Sequence, residues 1–229
     1  PGLLTTAVRN IGRGSKNLAI FEIGSIFRNT TALGKAVNPG VTNRPSEKVI
    51  KDIYEGVPKQ MLFVGAVVTG ETVLSDWQGL GNKFTWSDAI AKAQEIIEST
   101  GNDYEVISSD LAPWHPGRCA ELRVNGKPVA HAGELHPRVI NALNLPERSC
   151  AFAVILSELP AAGVSKAPAI WNFPPVVQDV ALVVDAKVSA ADLTTALKVG
   201  AGTLLESIVL FDRYDQMADS KVSLAFTLT

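Results

Sequence analysis

A chain of 229 residues, 46% hydrophobic and 19% charged, holds enough apolar material for one large or two modest packed domains. Its formal net charge of −2 excludes a strongly basic chain built to coat nucleic acid, and its two cysteines, Cys119 and Cys150, belong to no C-x-x-C pair and exclude a disulfide framework. No apolar run reaches the ~20 residues of a membrane-spanning helix, and no signal-peptide pattern or solenoid repeat is found, so a cytoplasmic protein with buried thiols is expected.

Leu3, Leu4, Ala7, Val8 and Ile11 recur at helical spacing, so Pro1 to Ile11 reads as a helix that Gly12 and Gly14 stop. Leu18 to Phe27 alternates as a strand with apolar residues on both faces, the pattern of a central, covered strand. Thr30 to Pro45 carries the glycines, prolines and asparagines of a surface connection. Ser46 is placed to cap a short helix ending near Tyr54, and Met61 to Thr69 is a strong strand. Trp86 to Ser99 is an amphipathic helix, with Thr85 or Ser87 as cap and Gly101 as its end. Its buried face is expected to hold Ile90, Ala93, Ile97 and Trp86.

Strands are predicted at Tyr104–Ile107, Cys119–Val124 and Val129–Gly133, the last two joined by Asn125-Gly126, a strong hairpin signal. A short helix over Arg138–Leu143 and an apolar strand over Cys150–Leu156 follow. Four prolines and little periodicity make Pro160–Pro175 the domain boundary. Beyond it come a strand (Val180–Val184), a helix capped by Ser189 (Ala190–Lys198) and strands at Leu204–Phe211 and Lys221–Leu228. That order, β-α-β-β, is the first part of a ferredoxin-like βαββαβ unit, so the fold is expected to be incomplete here and the parent chain to continue past Thr229.

Four segments in order carry a family resemblance. They are Leu3-Leu4 through Asn10 with Leu18 to Phe27 (including Phe21, Glu22 and Gly24); His115-Pro116-Gly117-Arg118; Gly133-Glu134-Leu135-His136-Pro137; and Phe173-Pro174-Pro175 through Asp179 to Val184, with Phe211-Asp212-Arg213-Tyr214 and Ser223 to Phe226 after it. Together they resemble the C-terminal portion of the bacterial phenylalanine–tRNA ligase β subunit. The resemblance implies an α+β chain: an antiparallel-sheet, class II synthetase-like but non-catalytic domain over residues 1–157, a linker at 158–167, and a truncated ferredoxin-fold anticodon-binding domain over 168–229. It implies an α2β2 enzyme in which the α subunit binds ATP and phenylalanine, with Mg in the intact enzyme and no cofactor in this fragment. The implied partners are that α subunit and tRNA(Phe). One departure is Gln178, where the family has a basic residue before the aspartate.

Other chemistries compete at several positions. Arg28, with Glu22 on the same strand, lies where an active class II enzyme holds an ATP phosphate, but it is followed by Asn29-Thr30-Thr31 and no second arginine motif comes later. His131, Glu134 and His136 have spacings that metal ligands use; the alternative has Glu134 and His136 bonding loop backbone, with Pro137 starting a helix. His115 and Cys119 suggest a base and a thiol that Arg118 activates, against a tight turn feeding a strand with Arg118 in an ion pair. For RNA contact the candidates are Trp171, Phe173, Arg213 and Tyr214. The same stretch, Ser165 to Thr229, has five basic and seven acidic residues, a net of −2, so phosphate attraction is weak there. An autonomous adenylate-forming enzyme and a bare oligomerisation module are the alternatives to the ligase-subunit reading.

Overall fold

The structure is a computed structural model that describes residues 2–28, 38–161, 163, 167 and 172–229, with the main chain alone at residue 28. It divides into two compact units, Pro1–Ser165 and Lys166–Thr229. Both are built on antiparallel sheets.

The first unit contains α1 (Gly2–Gly12), β1 (Leu18–Arg28), α2 (Glu47–Glu55), β2 (Lys59–Thr69), β3 (Glu71–Val73), β4 (Asn82–Lys83) and α3 (Trp86–Glu98). After these come β5 (Glu105–Ser108), β6 (Trp114–Val124), β7 (Lys127–Leu135), α4 (Pro137–Leu143) and β8 (Cys150–Ile155). Six strands form one sheet in the order β1-β2-β8-β7-β6-β5, and β3 pairs with β4 as a separate hairpin.

Because strand side chains alternate, β2 and β8 feed two cores. Val64, Ala66, Phe152 and Val154 pack with Ile90, Ala93 and Ile97 of α3. Val67 and Ala151 pack with Ala7 of α1 and Ile140 of α4, on the other face. Each fully buried isoleucine or leucine contributes about 1.5–3 kcal/mol to holding its helix on the sheet.

Local chemistry sets the helix starts. Thr85 and Asp88 form a capping box on α3, and Ser46 caps α2 by accepting from the Val49 amide. The Asn125-Gly126 turn has positive φ at both residues, 52° and 73°, which pins the β6–β7 hairpin.

Two expectations fail in this unit. β1 is not a central strand but an edge: it pairs with β2 alone among the described residues, and its Phe21 is 70% exposed. Trp86 is not part of the buried face of α3; it is 41% exposed, since it occupies the first helical position, where the chain enters from solvent.

The second unit comprises β9 (Gln178–Asp185), α5 (Ala190–Ala201), β10 (Ile208–Tyr214) and β11 (Lys221–Leu228), with sheet order β10-β11-β9. The predicted strand at Leu204 starts later, because Gly202–Leu204 forms a 3-10 turn first. Val222, Leu224 and Phe226 of the central strand pack against Leu193 and Leu197 of α5. The opposite face has no helix over it among the described residues.

Candidate functional site

In the first unit, two of the segments singled out from sequence, His115–Arg118 and Gly133–Pro137, meet at the junction of β6, β7 and α4. His115-Pro116-Gly117-Arg118 is not a turn before a strand; it lies inside β6, where the pairing slips between Trp114 and Cys119. Gly117 has φ 81°, which suits this bulge. Gly133, opposite Cys119 on β7, has φ 153°, and a Cβ there would lie 2.3 Å from the Arg118 carbonyl oxygen. Only glycine lets the two backbones approach this closely.

The bulge aims Arg118 at Glu134. Its Nη1 donates to both carboxylate oxygens, at 2.9 and 3.1 Å, and Arg148 stands 3.8 Å away. Glu134 is 4% exposed, so the expected backbone bonds of its carboxylate are replaced by these ionic ones. A buried carboxylate needs a charge partner more than a loop amide.

His136 lies beyond the end of β7 and caps α4, accepting the Arg138 amide hydrogen on Nδ1 at 3.1 Å, with Pro137 as the first helical residue. His131 donates to Glu121 at 3.0 Å and stacks on Trp114, with ring centres 5.6 Å apart. Burial would raise the Glu121 carboxyl, but Arg123 and His131 outweigh it and hold the group below the usual range. His131, Glu134 and His136 thus have three separate sets of partners, and no metal-holding group of three His, Cys, Asp or Glu forms among the described residues.

The histidine–thiol pairing does not form either. His115 donates to the Pro116 carbonyl at 2.5 Å and its ring lies 6.4 Å from that of His136. Cys119 donates to the Ser109 carbonyl, and burial pushes its thiol up, not down. Both cysteines are buried and unpaired.

Glu22 and Gly24 lie on the face of β1 and β2 that α1 overlies: the Leu3 side chain comes within 3.5 Å of a Cβ position at Gly65, and Gly2 faces the Glu22 carboxylate. Together with Ala153 they line a shallow pocket. An ATP–Mg pair does not fit the described lining, because a helix end occupies the face and Glu22 is the single acidic group lining it among the described residues. The side chain of Arg28 lies outside the described residues.

In the second unit, register places Ala181, Val183, Ser223, Ala225, Asp212 and Tyr214 on the uncovered face. Tyr214 is exposed, and Arg213 is held by Asp215 at 2.8 Å. Asp179 accepts from Thr227 at 2.7 Å, which spends that carboxylate on joining β9 to β11. Phe173 is exposed ahead of β9, and Trp171 lies outside the described residues. Val209, not singled out from sequence, and Phe211, which was, are both exposed on β10, Phe211 at the bulge between Leu210 and Asp212.

Residues 1–156 match the family described as the phenylalanyl tRNA synthetase beta chain CLM domain. The chain belongs to this family. Residues 172–229 match the ferredoxin-fold anticodon binding domain, in agreement with the β9-α5-β10-β11 order and its sheet. The chain is 43% identical over 232 residues to the phenylalanine–tRNA ligase beta subunit of Cutibacterium acnes. It is 43% identical over 236 residues to that of Thermobifida fusca, and 38% over 231 to that of Corynebacterium glutamicum. All of this chain is covered in each case, but only 27–28% of each relative, so it spans just over a quarter of the beta subunits it matches.

Among the described residues no helix is long and apolar enough to cross a membrane.

Proposed function

We propose that the chain is the assembly and tRNA-contacting portion of a phenylalanine–tRNA ligase β subunit, contributing no chemistry itself. The observation that carries this is the joining, in one chain, of a synthetase beta-chain domain to an anticodon-binding fold. The first unit is read as a class II synthetase-like sheet, bounded at 1–157, whose would-be nucleotide face α1 covers. Residues 168–229 form the RNA-facing domain, with 158–167 between. ATP and Mg then act on the α subunit of a cytoplasmic α2β2 enzyme.

The α subunit needs a docking surface, and the β3–β4 hairpin offers one. Trp77 and Leu80 at its tip are 90% and 95% exposed. The hairpin is nonetheless held internally: Asp76 accepts from the Gln78 amide at 2.8 Å, and the Ser75 hydroxyl from the Gly81 amide at 3.0 Å. Bonds that fix the loop backbone reduce what must be ordered on docking, and an exposed tryptophan on such a loop is the kind of anchor that dominates protein interfaces.

The test is co-expression with a cognate α subunit, followed by phenylalanine-dependent ATP–pyrophosphate exchange. The chain alone should give no exchange, and it should co-purify with α unless Trp77→Ala and Leu80→Ala are introduced. Exchange by the chain alone, surviving stringent purification, would instead indicate an autonomous adenylate-forming enzyme.

A further inference from the structure

β8 ends at Ile155, but the chain that leads on to the second unit does not leave the first at once. Leu156–Glu158 turns as a single 3-10 helix, closed by the Leu159 amide donating to the Leu156 carbonyl at 3.2 Å. Leu156 and Leu159 both pack on the core that α3 shares with the sheet. The Leu62 amide of β2 donates to the Ser157 hydroxyl at 3.2 Å. Asn102, in the connection between α3 and β5, donates through Nδ2 to the Pro160 carbonyl at 3.1 Å and to the Thr100 hydroxyl at 2.8 Å. The core, β2 and the α3–β5 connection thus each hold part of residues 156–160.

Glu158 closes the arrangement. Its Oε1 accepts from Lys59 Nζ at 3.1 Å, and its Oε2 accepts from Lys127 Nζ. Lys59 opens β2, and Lys127 opens β7 directly after the Asn125-Gly126 turn. These lysines lie 99 and 31 residues away along the chain, so one carboxylate joins two strands of the sheet to the exit. An isolated exposed ion pair contributes little, because water screens it and two long side chains must be ordered. This carboxylate is only 17% exposed and takes a cation on each oxygen, the networked geometry in which such pairs do count. The Lys127 and Lys59 bonds hold its carboxyl below the usual range, so it is charged at neutral pH.

We propose that Glu158 is an ionic latch that fastens the exit of the chain to the sheet, so that the connection to the second unit begins after Pro160 and not at residue 158. A latch made of charge differs from a packed joint: salt, or the loss of one charge, releases it while the fold stays intact. What opens is a short segment and not a domain, the scale on which local unfolding operates. Release lengthens the tether by the residues from Leu156 to Pro160, which changes the effective concentration at which one bound unit presents the other. The latch itself stands or falls independently of what either unit binds.

The experiment uses the 229-residue chain. Exchange of the Leu62 and Leu159 amides, read by NMR at low salt, should be about fivefold faster in Glu158→Gln, the scale of one well-placed ion pair. The amides in the middle of β8 should be unchanged. Salt at about 1 M, where charges are screened beyond ~3 Å, should bring the parent to the rate of the variant. Lys59→Gln combined with Lys127→Gln should match Glu158→Gln, and serves as the second variant should Glu158→Gln alter the far-ultraviolet circular dichroism. The proposal is overturned if Glu158→Gln exchanges like the parent, if exchange rises equally across β8, or if salt leaves the difference unchanged.

Discussion

One guanidinium nitrogen of Arg118 bonds both carboxylate oxygens of Glu134, at 2.9 and 3.1 Å, from a bulge in the neighbouring strand. The carboxylate is almost wholly buried while the arginine is about a third exposed. Arg118→Ala therefore leaves a buried charge with only Arg148, 3.8 Å away, to answer it. The expected cost is about 2–3 kcal/mol of stability, the worth of a charged hydrogen bond plus part of a desolvation penalty. Urea unfolding should show this loss, and the double variant Arg118→Met/Glu134→Leu should recover much of it. A single variant within error of the parent would mean that Arg148 or water replaces Arg118 fully.

Gly133 makes that bulge possible. A methyl group there would meet the Arg118 carbonyl at 2.3 Å and the Cys119 Cα at 2.6 Å, both backbone atoms that cannot swing aside. Gly133→Ala is expected to destabilise the first unit by about 3 kcal/mol or more, combining overpacking with a strained φ. Gly117→Ala, with φ 81° but open space around its Cβ position, should cost less, about 1–2 kcal/mol. Thermal melts of the two variants check the order; equal melting temperatures would count against it.

Much of this was legible in the sequence, and the failures have physical causes. Helix starts were readable because capping is local: the Ser46 and Ser189 hydroxyls accept from amides three residues on, and at Thr85 the Asp88 carboxylate accepts from the Thr85 amide. Arg118 and its ion pair were expected, but not the partner, because Glu134 is brought close by strand pairing rather than by sequence. The place of β1 in the sheet was misread for the same reason. Alternation reports that both faces of a strand are apolar, but not whether a neighbour lies on each side. Apolar residues on β1 mark a surface that this chain leaves exposed. The sheet of the second unit followed from element order alone, since four elements in the order β-α-β-β leave few ways to pair.

Cys150 should be inert at neutral pH. Burial pushes its thiol up to about 12, with the Glu134 charge adding to the effect. The folded state thus holds the proton more tightly than the unfolded one, whose thiol titrates near its ordinary value of 9.0. The sign follows from linkage: this contribution to stability is complete below pH 9.0 and is lost as pH rises towards 12. Thiol labelling at pH 7 should therefore follow global unfolding in urea, and stability should decline above pH 9.0 less steeply in Cys150→Ala than in the parent. Rapid labelling of Cys150 under native conditions would contradict the burial argument.

RNA contact by the second unit, as proposed above, is expected on its uncovered sheet face. Register puts Asp179, Asp185 and Asp212 on its uncovered sheet face, together with Tyr214. Phosphate attraction supplies most RNA affinity and all of its steep salt dependence, and this face has more acid than base to offer. Arg213 is tied to Asp215, so its charge is partly answered within the chain. What the face does offer is Tyr214, exposed and set beside the small residues Ser223 and Ala225, a surface on which an unpaired base can stack. Binding of a tRNA(Phe) anticodon stem-loop should accordingly be weak and have a shallow dependence on salt. Tyr214→Ala should lose about 1–3 kcal/mol of that affinity, the usual worth of one base stacked on an aromatic ring. Asp212→Lys should act differently, strengthening binding and steepening the plot of log affinity against log salt by about 0.9, as one more phosphate is neutralised. Fluorescence anisotropy at two or more salt concentrations separates the two effects. If Tyr214→Ala binds like the parent and Asp212→Lys changes nothing, the RNA does not lie on this face, and Phe173 ahead of β9 becomes the place to look.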